Sequence, residues 1–319
     1  MTDTLVSKSS TNAPTELASI AKLPFEGDLQ RAYYGEVFVE RLRYAFNNGY
    51  RPRYGTDATA ITPATDGIMT GLAALKSYAD LIEFLYIPGV MTVNGSDQVQ
   101  KLFSFGDNLL EAYPTTAPGP AAVGDSGNAY LDHSAGQGRG LLGKHDQTTF
   151  NDTSSGGKAL IHIGREVAYP ANGWVFRLVG GNNTYMSVGV ENGGPKHRVR
   201  VSRRRQADGV FEANTDFTAS AAADSPLNTW QTRQLYLGYA SGAVRLDVDG
   251  VNKLPSTPWN GGGVGIVDAS SPYDIRIAEP GVSSTWNTHT GPVCLLSTSN
   301  IATGQAVTAI LETHFAKYK

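Results

Sequence analysis

The chain has 319 residues, a net charge of -3 and 17 % charged residues, against roughly 25 % in an average domain. That length suggests about two domains, and the near-neutral balance, with pI ≈ 6.1, argues against a chain-wide attraction to nucleic acid. One cysteine, Cys294, excludes an internal disulfide and a cysteine metal cluster, and no run approaches the roughly 20 apolar residues of a membrane span.

Residues 1–24 are polar and rich in Ser, Thr and Ala. They lack the charged start and apolar core of a secretory signal and read as an extended arm. Residues 25–113 read as a small helical region. Glu26 to Phe46 carries Leu29, Tyr33, Val37, Leu42 and Phe46, with Asn47-Asn48-Gly49 as a stop. A second helix starts at Thr62-Pro63, where Thr caps and Pro suits the first turn. It continues through Ile68, Leu72, Leu75, Ala79 and Ile82, one helical face, and ends before Pro88-Gly89. A third is predicted from Ser96 to Tyr113, with Val99, Leu102, Phe103, Leu109 and Leu110 apolar. Residues 114–124 hold Pro114, Pro118, Gly119 and Pro120 and form a linker by composition.

From 125 to 285 the period drops to two. Lys158–Ile163, Gly173–Val179, Thr184–Val190, His197–Arg203, Gln234–Tyr239, Ala243–Val248 and Tyr273–Ala278 read as strands. Asn192-Gly193-Gly194, Asp208-Gly209, Ser241-Gly242 and Asp249-Gly250 supply the turns. Short strands at this spacing argue for an antiparallel β-sandwich. Residues 286–319 read as a loop followed by a C-terminal helix from Gln305 to Tyr318, with Val307, Ile310, Leu311 and Phe315 on one side. The fold class is therefore α+β and multidomain.

Asn228-Thr229-Trp230, then Gln234-Leu-Tyr-Leu-Gly238, then Ser241-Gly242-Ala-Val-Arg-Leu-Asp-Val-Asp-Gly250 resembles the hairpin of laminin-G-like, or concanavalin-A-like, jelly-roll domains. Gly263-Val-Gly265-Ile and Tyr273-Asp-Ile-Arg-Ile-Ala278 resemble their closing strands. The resemblance covers about 160 residues and implies a two-sheet sandwich that binds glycans or proteins, in some members through calcium. The family's calcium ligands are not placed on this chain by any motif, so calcium stays open, and no other cofactor is expected.

The candidate chemistry is sparse. Gly124-Asp125-Ser126-Gly127 resembles the nucleophile motif of trypsin-like proteases, but all six histidines follow it in the chain, where that family's base precedes it. Sandwich glycosidases carry Glu-x-Asp-x-x-Glu on one strand, and none of Glu166, Glu191, Glu212 or Glu279 begins that pattern. His162, between Ile161 and Ile163, faces away from them and reads as a surface or cross-strand-paired histidine. Trp174, alternating with Val175 and Arg177, reads as core.

Two surfaces remain. Trp259, in Pro258-Trp-Asn-Gly-Gly-Gly263, is a loop indole that can stack on a sugar or lock into a partner, with Asn260, Asp268 and Tyr273 as neighbouring polar candidates. Arg198, Arg200 and Arg204 share one face of the 197–205 strand and form a candidate face for an anionic partner. The plain alternative is a sheet surface neutralised by Asp247 and Asp249. Those two aspartates, two apart before Gly250, read otherwise as the solvated side of a strand running into a hairpin turn.

A polar arm, a helical docking region, a Pro-rich linker and a sandwich resemble in organisation the virion proteins of tailed bacteriophages. The expectation is a non-enzymatic structural protein of a virion assembled in the host cytoplasm: head decoration, head fibre or tail-associated adhesin. Its expected partners are other virion proteins, further copies of itself, with a trimer as one arrangement, and host-surface glycan, but neither nucleic acid nor membrane. A soluble lectin-like module is the alternative, and a sandwich hydrolase the third reading.

Overall fold

The computed structural model describes residues 51–53, 71, 74–94, 96, 98–105, 111–114, 119–124, 129–134, 140–145, 156–168, 173–179, 185–190, 196–205, 211–218, 225–238, 243–258, 265–266, 273–280 and 287–319. In chain order their strands are β1 (Arg51–Arg53), β2 (Ile82–Val93), β3 (Val99–Phe105), β4 (Glu111–Pro114), β5 (Ala121–Val123), β6 (Tyr130–Asp132), β7 (Leu141–His145), β8 (Gly157–Ala168) and β9 (Gly173–Val179). Then come β10 (Tyr185–Val190), β11 (His197–Arg205), β12 (Phe211–Thr218), β13 (Gln231–Gly238), β14 (Ala243–Val248), β15 (Val251–Pro258), β16 (Gly265–Ile266), β17 (Tyr273–Pro280), β18 (Asn287–Leu296) and the helix α1 (Ile301–Phe315).

The strands pair antiparallel into two sheets. Sheet one runs β3–β2–β18–β8–β13–β14–β15, with β1 also on β2 and the β5–β6 pair against β18. Sheet two runs β7–β17–β9–β10–β11–β12, with β16 against β11. β4 pairs with β3 of the first and β7 of the second, so it passes the chain between the layers. Period-two alternation turns one face of each sheet inward. Phe84, Tyr86, Leu160, Leu235, Leu237, Val293 and Leu295 of sheet one meet Phe176, Leu178, Met186, Val188, Val199, Ile275 and Ile277 of sheet two in one core.

The other face of sheet one is covered as well. α1 turns Gly304, Val307, Thr308, Leu311 and Phe315 inward, packing on β18, β13 and β8. The Asn300 side chain accepts a bond from the Thr303 N–H and caps the helix. Gly304 sits against Tyr236 of β13. A Cβ there would stand 2.6 Å from Tyr236 Oη. Burial on both faces explains Cys294 at 0 % exposure on β18, its thiol pushed far above its ordinary pKa by desolvation.

Several expectations are corrected. The helix predicted over 96–113 is β3 and β4. Of the second predicted helix, Gly71 and Ala74 are helical, with the Leu75 N–H bonded to the Gly71 carbonyl at 3.0 Å, but its later part is a 3-10 segment, Lys76–Leu81, followed by β2. Pro88-Gly89 does not stop an element but interrupts the β2–β3 register between Tyr86 and Met91, with Gly89 at φ 106°. The sandwich therefore begins before residue 125, and the 114–124 linker contains β5. It also extends past 285, since β18 is a central strand and not a loop. The helix predicted over Glu26–Phe46 lies outside the described residues. The C-terminal helix and the Asp249-Gly250 hairpin turn are present, the latter with φ of 50° and 75°.

Candidate functional site

The arginine strand lies on the outer face of sheet two. Val199 and Val201 point into the core, so Arg198 points outward. Trp174 joins it there through a bulge. Val188 pairs with Phe176, but the next residue, Gly189, pairs with Trp174, skipping Val175. The extra residue lets Val175 and Phe176 both enter the core and rotates Trp174 to the other face. Trp174 is buried as expected, at 8 % exposure, but on the face turned away from the inter-sheet cluster. Gly189 then lies between Trp174 and Arg198 in one cross-strand row. With no side chain between them, the Arg198 guanidinium reaches 4.9 Å from the indole centroid. Arg177 approaches the same ring at 6.0 Å.

A second row crosses the same face: Arg276, Arg177, Ser187, Arg200 and Asp216 in register. Arg276 bonds Asp274 at 3.1 Å. Ser187 is fully buried and its Oγ has no hydrogen-bond partner. Arg204 stands opposite Phe211 and Ile266. The acids opposite this strand in register are Asp216 and Glu212, not Asp247 and Asp249, which belong to sheet one. Asp247 is held in a two-point bond by Arg245, at 2.8 and 2.9 Å, and is fully buried, so the solvated-face reading fails for it. Of the other predicted residues, Trp259, Asn260 and Asp268 lie outside the described residues. Tyr273 opens β17, opposite His145.

One end of the sandwich is polar inside. Along β8 the core-facing positions pass from Leu160 to His162 and Glu166, and along β13 from Leu235 to Arg233. Arg233 Nη2 donates to both Glu166 oxygens at 2.7 and 2.6 Å. Its Nε donates across the layers to His197 Nδ1 at 3.3 Å. Ser225 Oγ donates to Glu166 at 2.8 Å. His162 is buried rather than on the surface, and it is cross-strand paired, opposite Arg233 in register and 3.4 Å from it. The missing Cβ of Gly164 leaves room for its ring. Desolvation, reinforced by Arg233, holds its pKa well below 6.5. Lys158 and Glu83 form a second buried ion pair.

Over that end lies a cluster with no linear signal. Tyr130 stacks on His289 at 5.0 Å and meets Trp230 and Tyr318 edge-on at 5.4 Å. The Arg165 guanidinium sits 5.2 Å from the Trp230 ring. Arg165 Nε donates to His289 Nδ1 at 2.9 Å, so the ring proton is on Nε2, which faces Asp132 Oδ1 at 3.2 Å. Burial pulls the His289 pKa down, outweighing Asp132. The Asp–His pair resembles half a triad, but the lone pair a general base would use already accepts from Arg165. What this end offers chemically is partly exposed Trp and Tyr rings beside a guanidinium and a carboxylate, groups suited to holding a polar ligand.

No protein-family model and no curated protein matches this chain. Among solved structures, the botulinum neurotoxin serotype D binding domain matches at 8 % identity and TM-score 0.51, over 74 % of this chain and 52 % of that one. The serotype G binding domain matches at 9 % identity and TM-score 0.50, over 72 % and 50 %. A serotype D ligand binding domain in complex with N-acetylneuraminic acid matches at 10 % identity and TM-score 0.50, over 75 % and 52 %. The chain thus shares a β-sandwich of the jelly-roll type with toxin binding domains, and it spans about half the length of the structures it matches. At these identities the likeness concerns the fold.

Proposed function

We propose that this chain is a non-enzymatic structural protein of a tailed-bacteriophage particle, a head decoration, head fibre or tail-associated adhesin. The residues before β1 dock on the particle, and the sandwich makes contacts with neighbouring subunits or an anionic host glycan. The observation that carries the recognition half is the outer face of sheet two. There Arg198 and Arg177 approach the Trp174 ring at 4.9 and 6.0 Å, and Arg276 and Arg200 occupy register positions in the neighbouring row. Guanidinium groups recognise carboxylate, sulfate or phosphate by paired donors, and a flat sheet face suits an extended partner. The virion assignment is supported by the order of parts, a polar Ser/Thr-rich arm and a further segment preceding the sandwich.

Purified particles should contain the chain by mass spectrometry. Light scattering should give a homo-oligomer. Replacing Arg198, Arg200 and Arg204 together by alanine should weaken attachment to particle or cell surface and flatten its dependence on salt. Attachment unchanged from 50 mM to 500 mM NaCl in both proteins would remove the anionic-face reading.

A lectin-like module is the second reading. It is favoured by the fold shared with a sialic-acid-bound binding domain and by the Trp230–Tyr130–Arg165–Asp132 cluster. A monomer with saturable sugar binding, lost on Trp230→Ala with little change in melting temperature, would select it over the virion protein. Polysaccharide turnover abolished by one carboxylate substitution would instead revive the hydrolase.

A further inference from the structure

A cavity of about 270 Å³ lies between α1 and the β14–β15 turn, lined by Thr232, Gln234, Asp249, Thr308, Glu312 and Lys319 among others. Three oxygens from three elements converge there on one point. Asp249 Oδ1 of the turn and Thr232 Oγ1 of β13 each lie 2.7 Å from Lys319 Nζ, and Glu312 Oε1 of α1 contacts the same ammonium. The carboxylates are oriented before any ligand arrives. The Thr232 N–H donates to Asp249 Oδ1 at 2.9 Å, and the Thr232 hydroxyl donates to Glu312 Oε1 at 2.5 Å. A fourth oxygen is unspent. Gln234 is 2 % exposed, it lines this cavity, and its Oε1 has no hydrogen-bond partner, although its Nε2 is held by Thr308 at 2.5 Å. An acceptor buried in that state costs about 1–3 kcal/mol.

We propose that this cage is a binding site for a hard divalent cation of the calcium or magnesium class, and that the Lys319 ammonium is its built-in competitor. The converging donors are all oxygen, two carboxylates and a hydroxyl, as these ions require, and the Gln234 amide oxygen lines the same cavity. Charge decides what the site prefers. With Lys319 in place the two carboxylates keep a net charge of about -1; with Lys319 swung into solvent and a dication bound, the site is neutral. The side chains of Asp249 and Glu312 are 40 % and 35 % exposed, so an ion has a path in and water can complete its shell. Lys319 follows α1 by a short turn, held by its N–H to the Ala316 carbonyl, and its flexible stem lets the ammonium leave without moving the helix.

The test is calorimetric titration of CaCl2 and, separately, MgCl2 into the full chain. Lys319→Ala should bind one ion with Kd of about 10⁻⁴–10⁻³ M, at least about tenfold tighter than wild type, and adding Asp249→Asn with Glu312→Gln should abolish binding. Lys319→Gln, which keeps the stem, should behave like the alanine variant and carries the test if the latter loses its fold by circular dichroism. No saturable heat from either Lys319 variant up to about 20 mM ion would overturn the site. So would binding that survives loss of both carboxylates. Neither outcome bears on particle attachment or glycan binding.

Discussion

Removing Arg233 should be among the most damaging single changes to the sandwich. Arg233 and Glu166 are both at 0 % exposure, and the guanidinium supplies two short bonds to that carboxylate. In Arg233→Met the carboxylate keeps, among the described residues, the Ser225 hydroxyl at 2.8 Å, and His197 Nδ1 loses the Arg233 donor across the layers. A stranded buried charge destabilises by about 3–5 kcal/mol. At roughly 2–4 °C per kcal/mol for a domain of this size, melting should fall by about 6–20 °C. The companion change shows the cause. In Arg233→Met with Glu166→Met no charge is stranded, so most of the loss should return, in line with apolar replacement of other buried pairs. Thermal melts and urea titrations of wild type, both single variants and the double variant close the cycle. An Arg233→Met variant within about 1 kcal/mol of wild type, or a double variant as unstable as the sum of the singles, would refute this role of the ion pair.

Stability should fall as pH drops below about 6.5. His162, His289 and His314 all have lowered pKa values, so between the folded values and 6.5 the unfolded chain binds protons that the folded chain refuses. Each such proton is worth about 1.4 kcal/mol per pH unit. His162→Gln should flatten the slope between pH 5 and 6.5 in urea titrations, and an unchanged slope would place the titration elsewhere. Gly304→Ala, which drives a methyl into Tyr236, should destabilise by about 1–3 kcal/mol and speed proteolysis within α1; equal proteolysis would contradict the close approach. Gly250 has open space around it but a φ of 75°, so Gly250→Ala should cost about 1 kcal/mol and Gly250→Asn less, a ranking that steric crowding would not produce.

Strands with one wet face were legible; strands buried on both were not. β9, β11, β14 and β17 alternate because outward residues such as Arg177, Arg198, Arg245 and Arg276 are partly exposed. β2 and β18 carry runs such as Ile82–Ile87 and Val293–Leu296, whose apolar content has no period of two. In β3, Val99, Leu102 and Phe103 fall at helical spacing by coincidence, which made strand look like helix. His162 alternated correctly but was assigned to the wrong medium, because helix α1 over sheet one gave Ile161 and Ile163 an apolar place of their own. The bulge at Val175 that turns Trp174 outward has no sequence mark beyond Gly189 across the way. The Trp230 and Lys319 clusters draw on residues far apart in the chain, so pairing alone brings them together. The outward position of Arg198 was legible in advance, because alternation with Val199 and Val201 needs only one strand to be seen.

The solitary thiol of Cys294, sealed between α1 and the sandwich and held protonated, has a practical consequence. Maleimide and disulfide reagents need a thiolate in water, so the folded protein should leave them unreacted. A cysteine introduced on an outer strand, at Asn252 for instance, which is exposed, would then be the sole handle for a fluorophore or spin label. Distances from such a label to a particle surface could be measured without first stripping the native sulfur.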